Sequence, residues 1–127
     1  MKRQTALWVR KAEADQVGAR SLASTKLPVY DLICFHCQQA AEKYLKALAQ
    51  ENGIVPPRIH DLKRLLAMLI PLDGTLRHLR RSLTSLNRYA VEFRYPGKTS
   101  RESQAVAALR HAEQVRDAIR IRLRLCP

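Results

Sequence analysis

Glycine is scarce in this chain: four residues in 127, scattered rather than clustered. That scarcity excludes a glycine-rich loop of the kind that cradles phosphates, and neither a GxSxG elbow nor an HExxH pair is present. Aromatic residues are only 6% of the chain. No apolar run approaches the ~18 residues that a bilayer span requires. The stretch from Met1 to Arg20 carries several charges where a signal peptide needs a continuous apolar core. Cysteine is present three times, an odd number that argues against a disulfide framework. Cys34 and Cys37 have CxxC spacing, but they fall inside a helical stretch and no second Cys/His pair follows at finger spacing. They read as small apolar packers in a reducing cytoplasm, with no metal expected. Acidic residues are also few, 11 against 23 lysines and arginines, for a formal charge of +12. A surplus of that size repels itself in a compact monomer, so an anionic partner is the expectation.

What is abundant is leucine, alanine, arginine, glutamine and glutamate, a helix-forming set. Hydrophobic residues at 46% and charged residues at 27% are an ordinary globular balance, and residues 1–127 read as a single domain. Proline and glycine divide the chain into helical blocks. The first block runs from about Lys2 to Ser24, with Trp8, Ala12, Asp15, Ala19 and Leu22 on one stripe. Pro28 suits the opening turn of a second helix, which runs to about Asn52 and stops at Gly53. Its stripe is Ile33, Cys37, Ala40, Ala41, Tyr44 and Leu48. Pro56-Pro57 forms a rigid connector, and a short helix follows from about His60 to Leu69. A fourth helix carries Leu76, Leu79, Leu83, Leu86, Ala90 and Phe93 without a break. Thr99 with Glu102 matches a capping box for a last helix that continues into Ile119 to Leu125. The pattern predicts an all-α fold, an antiparallel up-and-down four-helix bundle with one extra short helix.

Several residues carry candidate chemistry. Gln39, Glu42, Lys43 and Lys46 share a face of the second helix, where Glu42 and Lys46 can pair; a solvated face is the bland alternative. Arg77, Arg80, Arg81, Arg88 and Arg94 give the fourth helix a guanidinium-rich flank, and guanidinium forks match phosphate oxygens. Asp15 interrupts an apolar stripe and must be paired, hydrogen-bonded or neutral; Arg94 or Tyr95 is the expected partner, in a structural salt bridge. His60, beside Asp61 at a helix start, reads as a cap, a ligand contact or a catalytic group, the cap being the plainest of the three.

Taken together, the chain resembles the HEPN family, small helical domains named for higher eukaryotes and prokaryotes nucleotide-binding. The resemblance rests on Trp8, Ala12 and Asp15, on FHCQQAAEKYLKAL from Phe35 to Leu48, on PPRIHDLKRLL from Pro56 to Leu66, and on RYP from Arg94 to Pro96. It implies a helical bundle that usually dimerises and is commonly encoded beside a small nucleotidyltransferase in a two-component, toxin–antitoxin-like system. Many members are metal-independent ribonucleases that use an arginine and a histidine separated by four to six residues, paired across the dimer. The corresponding positions before His36, His60, His78 and His111 hold no arginine. The absence weighs against catalysis and toward nucleotide or RNA binding without a further cofactor.

On that reading Gln39, Lys43, Lys46, His60, Arg88 and Arg94 hold phosphates or polar groups, and Tyr95 stacks on a base. A ribonuclease with a displaced pair, for example His60 with Arg94, is the alternative; a purely structural helical partner is the third. Leu45, Val91 and Leu123, outside the main stripes, predict a homodimer interface.

Overall fold

The structure is a computed structural model that describes residues 1–92 and 95–126. Its helices are α1 (Arg3–Ala23), α2 (Tyr30–Glu51), α3 (Leu62–Leu69), α4 (Arg80–Asn87) and α5 (Glu102–Arg122), with 3₁₀ turns at Gly74–Leu79 and Arg88–Ala90. The described residues contain no strand, and no described helix is long and apolar enough to cross a membrane.

Side-chain contacts fix the direction of each helix. Lys2 meets Glu51 and Asp15 meets Lys43, so α1 and α2 are antiparallel. Ser82 meets Gln114, which sets α4 against α5, and Gln16 meets Glu113, which sets α1 against α5. Asp31 meets Ser100 while Tyr44 meets Arg120, so α2 and α5 run the same way. The result is the up-and-down four-helix bundle of α1, α2, α4 and α5. The extra short helix is α3, which the chain reaches by climbing back alongside α2 from Gly53 to Asp61.

The core follows the predicted stripes. Ala12, Ala19, Cys37, Ala41, Tyr44, Leu83, Leu86, Ala112 and Ile119 are all buried. Each fully buried leucine is worth about 1.5–3 kcal/mol over an exposed one. Two of the three apolar positions that suggested a dimer face belong to this core: Leu45 and Leu123 are buried within one chain, and only Val91 is exposed. Those two were misread because a helix between several neighbours buries residues outside any single stripe.

Other boundaries depart from expectation. Pro28 precedes α2, which starts at Tyr30. The continuous fourth helix is a 3₁₀ turn, then α4, then a second 3₁₀ turn. Steps of three between Leu76, Leu79 and Leu86, Tyr89 suit three residues per turn, so the periodicity alone could not tell the two helix types apart. Local bonds decide: His78 Nδ1 donates to the Thr75 carbonyl at 2.6 Å, and Arg77 reaches the Gly74 carbonyl. Phe93 lies outside the described residues. At the start of α5 the expected Thr99–Glu102 capping box is displaced by two residues: the N-cap is Arg101, whose N–H donates to Gln104 Oε1 at 2.8 Å. The last helix ends at Arg122 rather than running to Leu125.

Candidate functional site

Helix α2 packs against the rest of the bundle on most of its circumference, which leaves one narrow flank. His36, Gln39, Lys43 and Lys46 recur there at steps of three and four. Trp8 and Asp15 of α1 border this flank on one side, and His60, on the returning segment, borders it on the other.

Two carboxylates organise the flank. Asp15 is 9% exposed and accepts Lys43 Nζ on Oδ2 at 2.5 Å, while its Oδ1 lies 2.8 Å from His36 Nδ1. Glu42 is 3% exposed and accepts Lys46 Nζ on Oε2 at 3.1 Å, while its Oε1 lies 3.0 Å from His60 Nδ1. Each carboxylate thus holds one ammonium and one imidazole. Burying such a charge is costly unless it is paired and hydrogen-bonded, and here both oxygens are engaged. Lys46 also sits 5.5 Å from the Trp8 ring, a cation–π contact.

Amides extend the network. Gln38 Nε2 donates to Glu42 Oε1 at 3.3 Å and to the His60 carbonyl at 3.2 Å, and Gln39 Nε2 donates to Gln38 Oε1 at 2.7 Å. The next residue, Asp61, caps α3 by accepting from the Lys63 and Arg64 N–H groups. Asn87 of α4 accepts from the Leu62 N–H and donates to Asp61. His60 therefore stands just before the cap instead of serving as the cap. Its backbone is pinned from two sides while its side chain stays 68% exposed.

The candidate residues do not all meet here. Gln39, Lys43 and His60 share the ledge, with Lys43 committed to Asp15. Lys46 forms its floor, with a side chain only 6% exposed. Arg88 grips Glu92 through Nε and Nη2 at 2.7 and 2.8 Å and borders a different groove, of about 200 Å³, with Ser85, Tyr89, Ser103 and His111. Tyr95 is 70% exposed, and Arg94 lies outside the described residues. Asp15 is a paired structural carboxylate, but its partners are Lys43 and His36 rather than Tyr95. The expected Glu42–Lys46 pair is present, whereas His36, and the hold of Glu42 on His60, are what sequence reasoning passed over. A signal existed: His36 and Lys43 are seven apart, two helical turns, and so share a face.

A second polar cluster binds the helices together. Glu13 of α1 accepts from the Tyr44 hydroxyl, from Arg116 at 2.8 Å and from Arg120 at 3.0 Å. Burial would raise the Glu13 pKa, but these donors outweigh it and hold the carboxyl below its usual range. Burial, with Glu13 as neighbour, pushes Tyr44 up to about 12. Burial likewise pushes Cys37 up to about 12 and raises Cys34, leaving two neutral thiols in the core.

A HEPN domain model matches residues 5–122. The structure is similar to that of TT1696 from Thermus thermophilus, with a TM-score of 0.79 and 28% identity over 93% of this chain and 97% of that one. It is also similar to ST0689, an archaeal HEPN homologue, with a TM-score of 0.73 and 26% identity over 96% and 98% of the two chains. No curated protein matches significantly.

Proposed function

The chain belongs to the HEPN domain family, and on that footing we propose that it is a nucleotide- or RNA-binding module that breaks no bond itself. It works as the partner of a small nucleotidyltransferase and as a homodimer. The observation that carries the binding reading is the α2 ledge beside an unneutralised basic segment. His60 stands out from it, and Arg58, Lys63 and Arg64 on the same segment are exposed. Among the described residues no carboxylate pairs with those three cations. Guanidinium and ammonium groups hold phosphate, while His60 and Gln39 meet the polar edges of the nucleotide.

Binding to the native state raises its stability by mass action. Mononucleotides, short RNA and heparin should therefore raise the melting temperature at low salt, and the shifts should shrink as salt is added. No shift from any of them sinks the proposal; a shift with heparin alone reduces it to unspecific charge. Co-expression with a candidate nucleotidyltransferase should yield a stable complex, and light scattering at micromolar concentration should give a dimer.

The carboxylate-held imidazole of His60 favours one second reading, a metal-independent ribonuclease. Such an enzyme needs a base for the 2′-hydroxyl and a cation at the phosphate. Arg94 is the cation candidate. Incubation with RNA in chelator separates the two readings. Cleavage that vanishes in both His60→Ala and Arg94→Ala, with the fold intact, replaces the binding module by an enzyme.

A further inference from the structure

The two triads along the α2 flank, Lys43–Asp15–His36 and Lys46–Glu42–His60, share one chemical consequence. A carboxylate that is ion-paired to an ammonium has acceptors only. The hydrogen between Asp15 and His36, and between Glu42 and His60, must therefore sit on the imidazole Nδ1. In the neutral form of each ring that is its one N–H, and Nε2 is then an unprotonated acceptor. Gln39 lies between them on the same face. One N–H of its amide is given to Gln38, and its amide oxygen is a third acceptor. The nearest cations, Lys43 and Lys46, are held by their carboxylates.

Within a protein of charge +12, a ledge with both rings in that form offers three acceptors, the two Nε2 atoms and the Gln39 amide oxygen. Phosphate oxygens, themselves acceptors, find no donor on neutral rings. The groups that fit are hydroxyl donors. His36 and Glu42 are six residues apart, a rise of about 9 Å along α2. The two carboxylate-held rings are therefore anchored at different levels of the helix.

We infer that His36, Gln39 and His60 form a ribose-reading strip, in which carboxylate-fixed imidazole Nε2 atoms accept hydrogen bonds from 2′-hydroxyls and so distinguish RNA from DNA. Asp15 and Glu42 are positioning residues: they touch no ligand and set the tautomer. The inference rests on the nucleotide-binding reading. It assigns phosphate to the cations of the neighbouring segment and sugar to the ledge.

Two measurements test it. Long-range proton–nitrogen correlation spectra of histidine-labelled protein at pH 8, where ordinary imidazoles are neutral, should show His36 and His60 as Nδ1–H tautomers. The same rings in urea should show the Nε2–H form favoured in water. A folded-state Nε2–H signal at both rings removes the basis of the inference, whatever binds.

Second, fluorescence anisotropy should compare a uridine decamer with its deoxyuridine counterpart at pH 8 and low salt. RNA should bind more tightly, by about two- to tenfold for each hydroxyl read. His60→Ala and His36→Gln should each pull the RNA-to-DNA ratio toward one. His36→Gln keeps a donor for Asp15, and the exposed His60 is removable without touching the core. Equal affinity of the wild type for both strands refutes sugar reading but leaves nucleotide binding intact. Failure of both strands to bind overturns both readings.

Discussion

The three long helices and the run of short elements fill one core in opposite ways. Where α1, α2 and α5 meet, the seam is rich in small residues: Ala12, Ala19, Ala41, Ala108 and Ala112 are at most 1% exposed. Backbones can approach closely there. The segment from α3 through α4 supplies leucine after leucine, with Leu62, Leu65, Leu69, Leu76, Leu79, Leu83 and Leu86 at most 2% exposed. The charges divide along the same line. On the long helices, Glu13 binds Arg116 and Arg120, Glu113 binds Arg20, and Asp15 binds Lys43. Between Gly53 and Val91 seven lysines and arginines face two aspartates, and both aspartates serve as helix caps. Charge on the long helices is mostly spent on structure, whereas on the short segment Arg58, Lys63 and Arg64 have no carboxylate partner among the described residues.

The packing half of that contrast has the largest predicted effects. Leu83→Ala, at a fully buried leucine, should cost about 2–5 kcal/mol by leaving a cavity. Ala112→Leu, in the close seam, should cost about 1–3 kcal/mol by the opposite route, overpacking. Chemical denaturation measures both. A neutral Ala112→Leu would mean that the seam has room and that the contrast is only one of composition.

Much of this fold was legible in the sequence, because helical stripes and proline and glycine breaks are local signals. What escaped were the features set by tertiary register. Asp15 was recognisable as a polar intruder in an apolar stripe, yet its partners lie 21 and 28 residues away on α2. Nothing local gives the sliding register of two helices. His60 stood out, but Glu42 became its partner only because the segment after Gly53 doubles back along α2. The leucine repeat from Leu76 correctly marked the buried face and concealed the 3₁₀ turns, since a step of three serves both helices.

A smaller effect tests how well the long-helix half is finished at its end. After α5 the Arg124 N–H donates to the Ile121 carbonyl at 3.0 Å and the Leu125 N–H to the Arg120 carbonyl at 2.9 Å. This is a Schellman closure, which calls for a left-handed residue, usually glycine. The residue there is Arg124, at φ 59°. A side chain in that conformation costs roughly 1–2 kcal/mol, offset in part by the greater freedom glycine has when unfolded. Arg124→Gly should therefore raise stability by about 1 kcal/mol. A loss would show that the arginine side chain contributes more than its backbone strain removes.

The smallest expected effect lies at the tie between the two halves. Asp73 caps the 3₁₀ turn ahead of α4, and its Oδ2 accepts Arg122 Nε of α5 at 2.7 Å. The Thr75 hydroxyl, and after it Arg122, lower its pKa from 3.8 to about 2. A carboxyl whose folded pKa is depressed stabilises the fold fully above its unfolded value and loses that contribution as pH falls through the folded one. The affected window therefore runs from about pH 4 down to about pH 2, and stability at neutral pH retains the whole contribution. Because the group is solvent-exposed, salt screens it and the effect is modest. Melting temperatures from pH 5 to pH 2 at low salt should fall more steeply for the wild type than for Asp73→Asn. The gap between them should narrow as chloride is added. If the two curves stay parallel across that window, the Asp73–Arg122 bond does not couple the short segment to α5, and the halves are joined by their leucines and by the Ser82–Gln114 and His60–Glu42 contacts.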